Sequence, residues 1–392
     1  MITNQQVHST LPVSVQYSLF QGKSGVKELH IIICPNQYGT FQEQLNQVTQ
    51  AYRNLLTDLD TDLNSSVLRR FFCSDLPNQA DVLKANAYAN SRTSESPCAI
   101  SWVNQAPAHP AKVALWAYHI IDPVTELAPV KTNTSLSLSR GELTHHWDTK
   151  LYSIRADDSY SQSRDILETY CQRLDQRNAT LYDHCIRTWF YVKDVDTQYQ
   201  GLVDARNHIF DQEGLTADTH YIASTGIAGG LHETKARVAM DAYAISGVRP
   251  EQIEFISALD HLSPTQLYGV AFERATAVSY QDRKHIFVSG TASIDWQGKI
   301  LHEGDVLKQL DRTLENIEAL LTQASAKMSD NNVFIVYLRD MADQFAIQEQ
   351  LALRHPDIPT VFVHAPVCRP GWLIEIESIA TVVADKPDLP FF

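Results

Sequence analysis

Hydrophobic and polar positions along the chain switch between a period of two and a period near 3.6, and the switching repeats. In the C-terminal third, HIFVSGTASI (285–294) reads as a strand. LKQLDRTLENIEALLTQAS (307–325) reads as a helix, because Leu307, Leu310, Leu314, Ile317 and Leu321 fall at helical spacing. A strand with a turn (VFIVYLRDMAD, 333–343), a helix (QFAIQEQLALRH, 344–355) and two closing strands (TVFVHAPV and WLIEIESIATVV) complete a βαβαββ order. The middle third runs through the same order: LYSIRADD, RDILETYCQRLDQRN, CIRTWFYVKDVD, QYQGLVDARNHIF, HYIASTGIAGG and RVAMDAYAI. Tyr191-Val192-Lys193-Asp194 lies where Tyr337-Leu338-Arg339-Asp340 lies in the third copy. The first third is more diverged, as ELHIIICPN, FQEQLNQVTQAYRNLLTDL, VLRRFFCSDLPN, QADVLKANAYA, CAISWVNQAP and VALWAYHI.

Six elements in one order, three times over, predict an α/β (α+β) fold of three tandem units, residues 1–125, 126–250 and 251–392. Proline-bearing connectors, IDPVTELAPVKT and SGVRPEQIEFISALDHLSP, separate them. Three such units can close a ring within one chain, as an intrachain pseudo-trimer. The molecule is then either a monomer or a homo-oligomer.

Composition narrows the function more than the fold. A length of 392 residues exceeds one ordinary core, and 44% hydrophobic content suits a globular chain. No run of 18 apolar residues is present, and MITNQQVHSTLPVSVQ is neither basic nor apolar enough for a leader, so the expectation is a cytoplasmic protein with no membrane partner. A net charge of −14 argues against a nucleic-acid partner, since backbone binding draws on clustered Lys and Arg. An anionic small molecule then needs a local group of arginines. Cys34, Cys73, Cys98, Cys171, Cys185 and Cys368 have no CxxC spacing, and neither His145-His146 nor His232-Glu233 sits in a zinc motif. No metal site and no cofactor are expected.

The chemistry concentrates in APVCRPGWLIEIE (365–377). Aligning the three last strands sets Ile374-Glu375-Ile376 against Val113-Ala114-Leu115 and Val238-Ala239-Met240, so an acid stands where two copies carry alanine. Glu375 and Glu377 share one face of a strand. Two close carboxylates resist double ionisation, which suits one of them to act as a general acid. Read as a hairpin across Pro370-Gly371, the segment brings Cys368 and Arg369 beside Glu375. Cys368 is expected to shape the pocket or make a polar contact, not to act as a nucleophile, since no nearby partner would activate a thiolate. Arg339 at the end of its strand, with Arg274 and Tyr268 in YGVAFERA, extends the candidate binding set. Arginine forks suit carboxylates. In the middle copy, ASTGIAGG (223–230) reads as a glycine-rich turn that presents Ser224, Thr225 and Gly226 to the third copy. It lacks the ending of a phosphate loop.

FVSGTASID, LENIEALL, VYLRDMAD and IESIA resemble the Rid (YjgF) family, over roughly residues 268–384. Rid proteins are trimers with sites between adjacent subunits, and many are enamine/imine deaminases. Those deaminases carry a substrate-binding arginine in a P-x-R segment, where this chain has Pro359-Thr360-Val361-Phe362. ASTGIAGG, YGVAFERA, VYLRDMAD and APVCRPGWLIEIE together resemble the chorismatases, which look like Rid domains fused in one chain. The first unit matches only as a generic, structural Rid-like domain. The resemblance implies that Glu375 protonates the enolpyruvyl methylene of chorismate. It also implies that Cys368 marks the branch making 3-hydroxybenzoate and pyruvate, an alanine there marking the branch that makes a dihydrodiol acid. Phe272, Trp372 and Ile227 are candidate apolar walls. A Rid-type deaminase and a metabolite-binding protein without catalysis remain as alternative readings.

Overall fold

Helices form where a capping side chain precedes an apolar stripe. Thr40 and Glu43 make a capping box at the start of α1, and Asp305 accepts from the Lys308 amide at the start of the longest helix of the third unit. The computed structural model describes residues 2–90, 98–123, 128–132 and 134–392. The predicted boundary at 125/126 and the middle of the first connector lie outside the described residues.

The first unit comprises β1 (Ile2–Val7), β2 (Val13–Gln21), β3 (Lys27–Pro35), α1 (Phe41–Asp58), β4 (Ser66–Cys73), α2 (Leu76–Ala85), β5 (Ala99–Asn104), β6 (Ala106–Pro107) and β7 (Val113–Ile121). The second has β8 (Val130–Lys131), β9 (Ser135–Arg140), β10 (Leu143–Tyr152), α3 (Ser159–Asp175), α4 (Leu181–His184), β11 (Cys185–Val192), α5 (Val195–Gln212), β12 (Ala223–Ala228) and β13 (Val238–Ser246). The third has β14 (Ile253–Ile256), β15 (Ala275–Ser279), β16 (Arg283–Ala292), α6 (Val306–Gln323), β17 (Asn331–Leu338), α7 (Gln344–Arg354), β18 (Thr360–His364) and β19 (Ile374–Val383).

Three sheets result, with one strand order: β1-β2-β3-β7-β4-β5, β8-β9-β10-β13-β11-β12 and β14-β15-β16-β19-β17-β18. The predicted pseudo-trimer is present. Alternation along each strand splits its side chains between two cores. On β7, Val113, Leu115 and Ala117 pack with α1, whereas Ala114, Trp116 and Tyr118 join a core shared with the other two sheets. The sheets meet at the axis with their inner faces.

Four expectations are corrected here. Each unit opens with two strands that the βαβαββ reading did not include, so the second connector is partly structured as β14. The first long strand of the middle unit is LTHHWDTKLY, not LYSIRADD, because residues 153–158 lead instead to the Asp158 cap of α3. The β18–β19 segment is not a hairpin: β18 runs parallel to β17, and β19 pairs with the other side of β17. Leu307, at the first turn of α6, is 40% exposed, and the buried stripe starts at Leu310.

Edges lock the units together. β6 of the first unit extends the third sheet beside β18, and the Asn104 amide of the first unit donates to the Gly230 carbonyl of the second. Residues 223–230 are the edge strand β12 and its exit, not a turn at the place of Val367 to Pro370. β12 lies parallel to β11 and corresponds to β18 in the third unit. It reaches the third unit through bridges Ala223 to Glu273 and Ile227 to Val367.

Candidate active site

Those two bridges, with Thr225 bonded to Gly290 of β16 and Glu377 of β19, seat a strand of small residues against the third unit, and a cavity remains between the second and third units. It is lined from the second unit by Ser224, Thr225 and Gly226 on β12 with Tyr199 and Arg206 on α5. From the third unit come Tyr268, Phe272, Arg274, Gly290, Cys368, Arg369, Trp372 and Glu375.

Glu375 sits mid-sheet, opposite Tyr337 on β17 and Ala292 on β16. The matching positions, Ala114 opposite Phe72 and Ala239 opposite Tyr191, confirm the strand alignment that singled it out. It is 5% exposed, and its carboxyl has no protein hydrogen-bond partner among the described residues. Room for it exists because residue 290 is glycine, where a Cβ would stand 2.1 Å from Oε1 of Glu375. Burial, reinforced by the charge of Glu377, raises its pKa to about 8 against the pull of Arg187 and Arg274. The group is therefore a neutral acid at pH 7.

Glu377 is held differently, though it is only two residues away. Its Oε2 accepts from Arg187 at 2.8 Å and from Thr225 at 2.5 Å, and its Oε1 accepts from the Trp189 indole at 2.9 Å. Thr225 is tied further, since its Oγ1 accepts from the Gly290 amide at 2.9 Å. The hydroxyl of Thr225 thus joins the two carboxylate neighbourhoods across the unit boundary. Ser224 is bound by Thr188 through Oγ at 2.9 Å, and its amide donates to Ser289. Gly226 leaves space for the ring of Tyr199, which a Cβ there would meet at 2.9 Å.

Cys368 and Tyr199 line the cavity together, both packed against the core of the second unit. Burial, with the Glu375 carboxyl, pushes the Cys368 thiol up to about 12, so it stays protonated.

The arginines stack in a ladder with aromatic rings. Arg369 lies 4.5 Å from the Tyr268 centroid and 5.1 Å from that of Trp372, and Arg274 lies 5.5 Å from Tyr268 and 5.3 Å from Phe272. Arg206, 6.0 Å from Phe272, extends the series from the second unit. Arg274 donates through Nη2 to the Ser263 carbonyl at 2.8 Å. Arg206 is 1% exposed, with Nε and Nη2 lacking partners. A buried guanidinium without an anion is costly, so the cavity is set for a negatively charged guest.

Arg339 is corrected as a substrate contact. It does not line the cavity; its guanidinium grips Asp196 at 2.5 and 3.1 Å and the Val367 carbonyl at 3.1 Å. It holds the segment leading to Cys368 from behind. Ile227 is likewise buried against Val367 and is not a wall, whereas Phe272 and Trp372 are. Tyr199 and Arg206 were missed by the sequence reading. QYQGLVDARNHIF was identified as a helix, and only an inter-unit packing direction shows which face meets the cavity. Among the described residues, no group of three His, Cys, Asp or Glu is placed to hold a metal ion, and no helix is long and apolar enough to cross a membrane.

Comparisons with known proteins agree with this organisation. The family described as Endoribonuclease L-PSP matches residues 273–382. The 3-aminoacrylate deaminase RutC of Acinetobacter baylyi is 33% identical over 99 residues, 25% of this chain and 79% of that protein. A 3-hydroxybenzoate synthase of Streptomyces hygroscopicus is 26% identical over 225 residues, 50% of this chain and 64% of that protein, so the match spans just under two thirds of it. A crystal structure of a chorismatase superposes with a TM-score of 0.60 at 19% identity, covering 82% of this chain and 95% of that one. The chain belongs to the Rid (L-PSP) family and carries the chorismatase fold, three Rid-like units in one polypeptide.

Proposed function

We propose that this chain cleaves chorismate into pyruvate and 3-hydroxybenzoate at the cavity between its second and third units. The observation that carries the proposal is the buried carboxyl of Glu375, its pKa raised by burial, in a cavity lined by three arginines, while the neighbouring Glu377 carboxylate is already paired with Arg187. Chorismate is a dianion with an enol ether, so it matches both features. Arg206, Arg274 and Arg369 hold the two carboxylates, and Phe272, Tyr268 and Trp372 flank the ring. Glu375 gives its proton to the terminal methylene carbon, which becomes the methyl group of pyruvate. The adjoining carbon then carries oxocarbenium-like charge; the neighbouring ring hydroxyl gives up its proton and its oxygen attacks the ring carbon bearing the ether, whose carbon–oxygen bond breaks so that the ether oxygen leaves as the ketone oxygen of pyruvate, and opening of the resulting ring epoxide with loss of a ring proton leaves 3-hydroxybenzoate. Return of a proton to Glu375 closes the cycle. The two products together hold all the atoms of chorismate. Exclusion of bulk water favours the ring hydroxyl over hydrolysis.

Cys368, as a neutral thiol in the cavity wall, selects between ring-hydroxyl capture and water. Similarity to a 3-hydroxybenzoate synthase favours the first outcome. The deaminase reading is not favoured, because Val361, fully buried, stands where the P-x-R segment would carry its arginine. The test is product analysis from chorismate. Wild type is expected to release pyruvate with 3-hydroxybenzoate, Glu375→Gln to lose pyruvate release, and Cys368→Ala to shift product toward the dihydrodiol acid. No pyruvate from wild type, or full activity in Glu375→Gln, would sink the proposal.

A further inference from the structure

A second cavity lies on the pseudo-threefold axis, away from Glu375. Its walls come from equivalent places in the three units. His30 faces Tyr118, Trp147 faces Tyr243, and Phe287 faces Ile379 across the matching pair of strands in each sheet. Three flat side chains thereby ring the axis, with Trp116 and Trp189 also lining the space.

The polar groups at this cavity divide into satisfied and unsatisfied. Glu28 is satisfied: Oε1 accepts from Arg283 at 2.6 Å and lies 2.9 Å from His285 Nε2, and Oε2 accepts from Tyr118 at 2.5 Å. His30 is not. Its Nδ1 accepts from the Trp116 indole at 3.3 Å, so the hydrogen of the neutral ring sits on Nε2. Burial lowers the His30 pKa to about 3, which keeps the ring neutral. Among the described residues, neither His30 Nε2 nor the Trp147 indole nitrogen has a protein acceptor, and both side chains are at least nine-tenths buried against the cavity.

We infer that the axial cavity binds an uncharged aromatic molecule of one or two rings that carries a hydrogen-bond acceptor. The rings supply stacking faces, and the two N–H groups supply donors. An anion would face the Glu28 carboxylate with Arg283 already engaged, and a cation would have to displace Arg283. Phe392 packs on His285 with centroids 4.6 Å apart and on Tyr280 at 5.1 Å.

The inference is independent of chorismate cleavage, and its test uses 4-fluorophenol, 4-fluorobenzoate and fluorobenzene followed by fluorine NMR on the full chain. 4-Fluorophenol is expected to bind saturably, to bind equally in Arg206→Ala, and to weaken about tenfold or more in Phe287→Trp, which fills the cavity. Trp147→Phe keeps the ring and removes one donor, so it should weaken 4-fluorophenol severalfold and leave fluorobenzene unchanged. Absence of saturable 4-fluorophenol binding to wild type overturns the inference. So does binding that Arg206→Ala abolishes, or that neither Phe287→Trp nor Trp147→Phe alters, because the probe then occupies the other site or the surface. Preference for 4-fluorobenzoate in Arg206→Ala would also overturn it.

Discussion

At neutral pH the carboxyl of Glu375 keeps its proton because burial strips it of water and Glu377 adds a second negative charge nearby. Turnover that needs this acid should fall as pH rises through about 8, read as pyruvate release across a pH series. Stability follows the same shift. The folded pKa, about 8, lies above the ordinary 4.5, so between those values the folded state binds the proton more tightly than the unfolded chain, and stability declines as pH rises across that window. Glu375→Gln removes this dependence. Its melting temperature should gain on wild type from pH 5 to pH 8, roughly the span between those two values, and a constant difference would show that the carboxyl is not shifted. Sequence singled out Glu375 because two equivalent strands carry alanine there. It did not supply the proton affinity, which depends on Gly290, Thr225 and Arg187 arriving from other strands.

Two arginines on neighbouring elements illustrate what an element's orientation adds. Arg206 projects from α5 into the cavity with free donors, whereas Arg339, at the end of β17, turns outward to Asp196 and Val367. Removing a charged hydrogen-bond partner costs about 1.5–3 kcal/mol, so Arg206→Ala should raise KM for chorismate roughly tenfold to a hundredfold. Arg339→Ala breaks a half-exposed pair worth about 0–1 kcal/mol and should leave KM near wild type. Steady-state kinetics on both variants decides the assignment, and a larger KM effect at Arg339 would reverse it. Sequence puts Arg339, at a strand end, in the candidate binding set and passes over Arg206 within a helix. The same limit hid β12: ASTGIAGG looks like a turn by composition, yet small residues there let an edge strand approach β16 closely.

Across the whole molecule, a buried ion pair sits at each boundary between units: Arg70 with Asp241 between the first and second, Arg187 with Glu377 between the second and third, and Arg283 with Glu28 between the third and first. Breaking one partner of such a pair leaves an uncompensated buried charge, typically costing about 3–5 kcal/mol. Arg187→Met is therefore expected to lower the urea midpoint strongly, with a change of similar size in Arg70→Met, measured by circular dichroism. A negligible change in both would mean that the boundaries are held by apolar packing alone. The repeat, the helices and the three-unit plan were legible from the sequence, because periodicity and order are local properties that survive divergence of individual residues. The leading strand pairs, the crossing of β18 over β17 and the inward turn of α5 were not, because each is fixed by a partner distant in sequence. Sequence by itself determined that one acid would stand in one of three equivalent strands. Tertiary structure alone decided that it would be neutral, enclosed and faced by arginines, since proton affinity and convergence arise from burial between units.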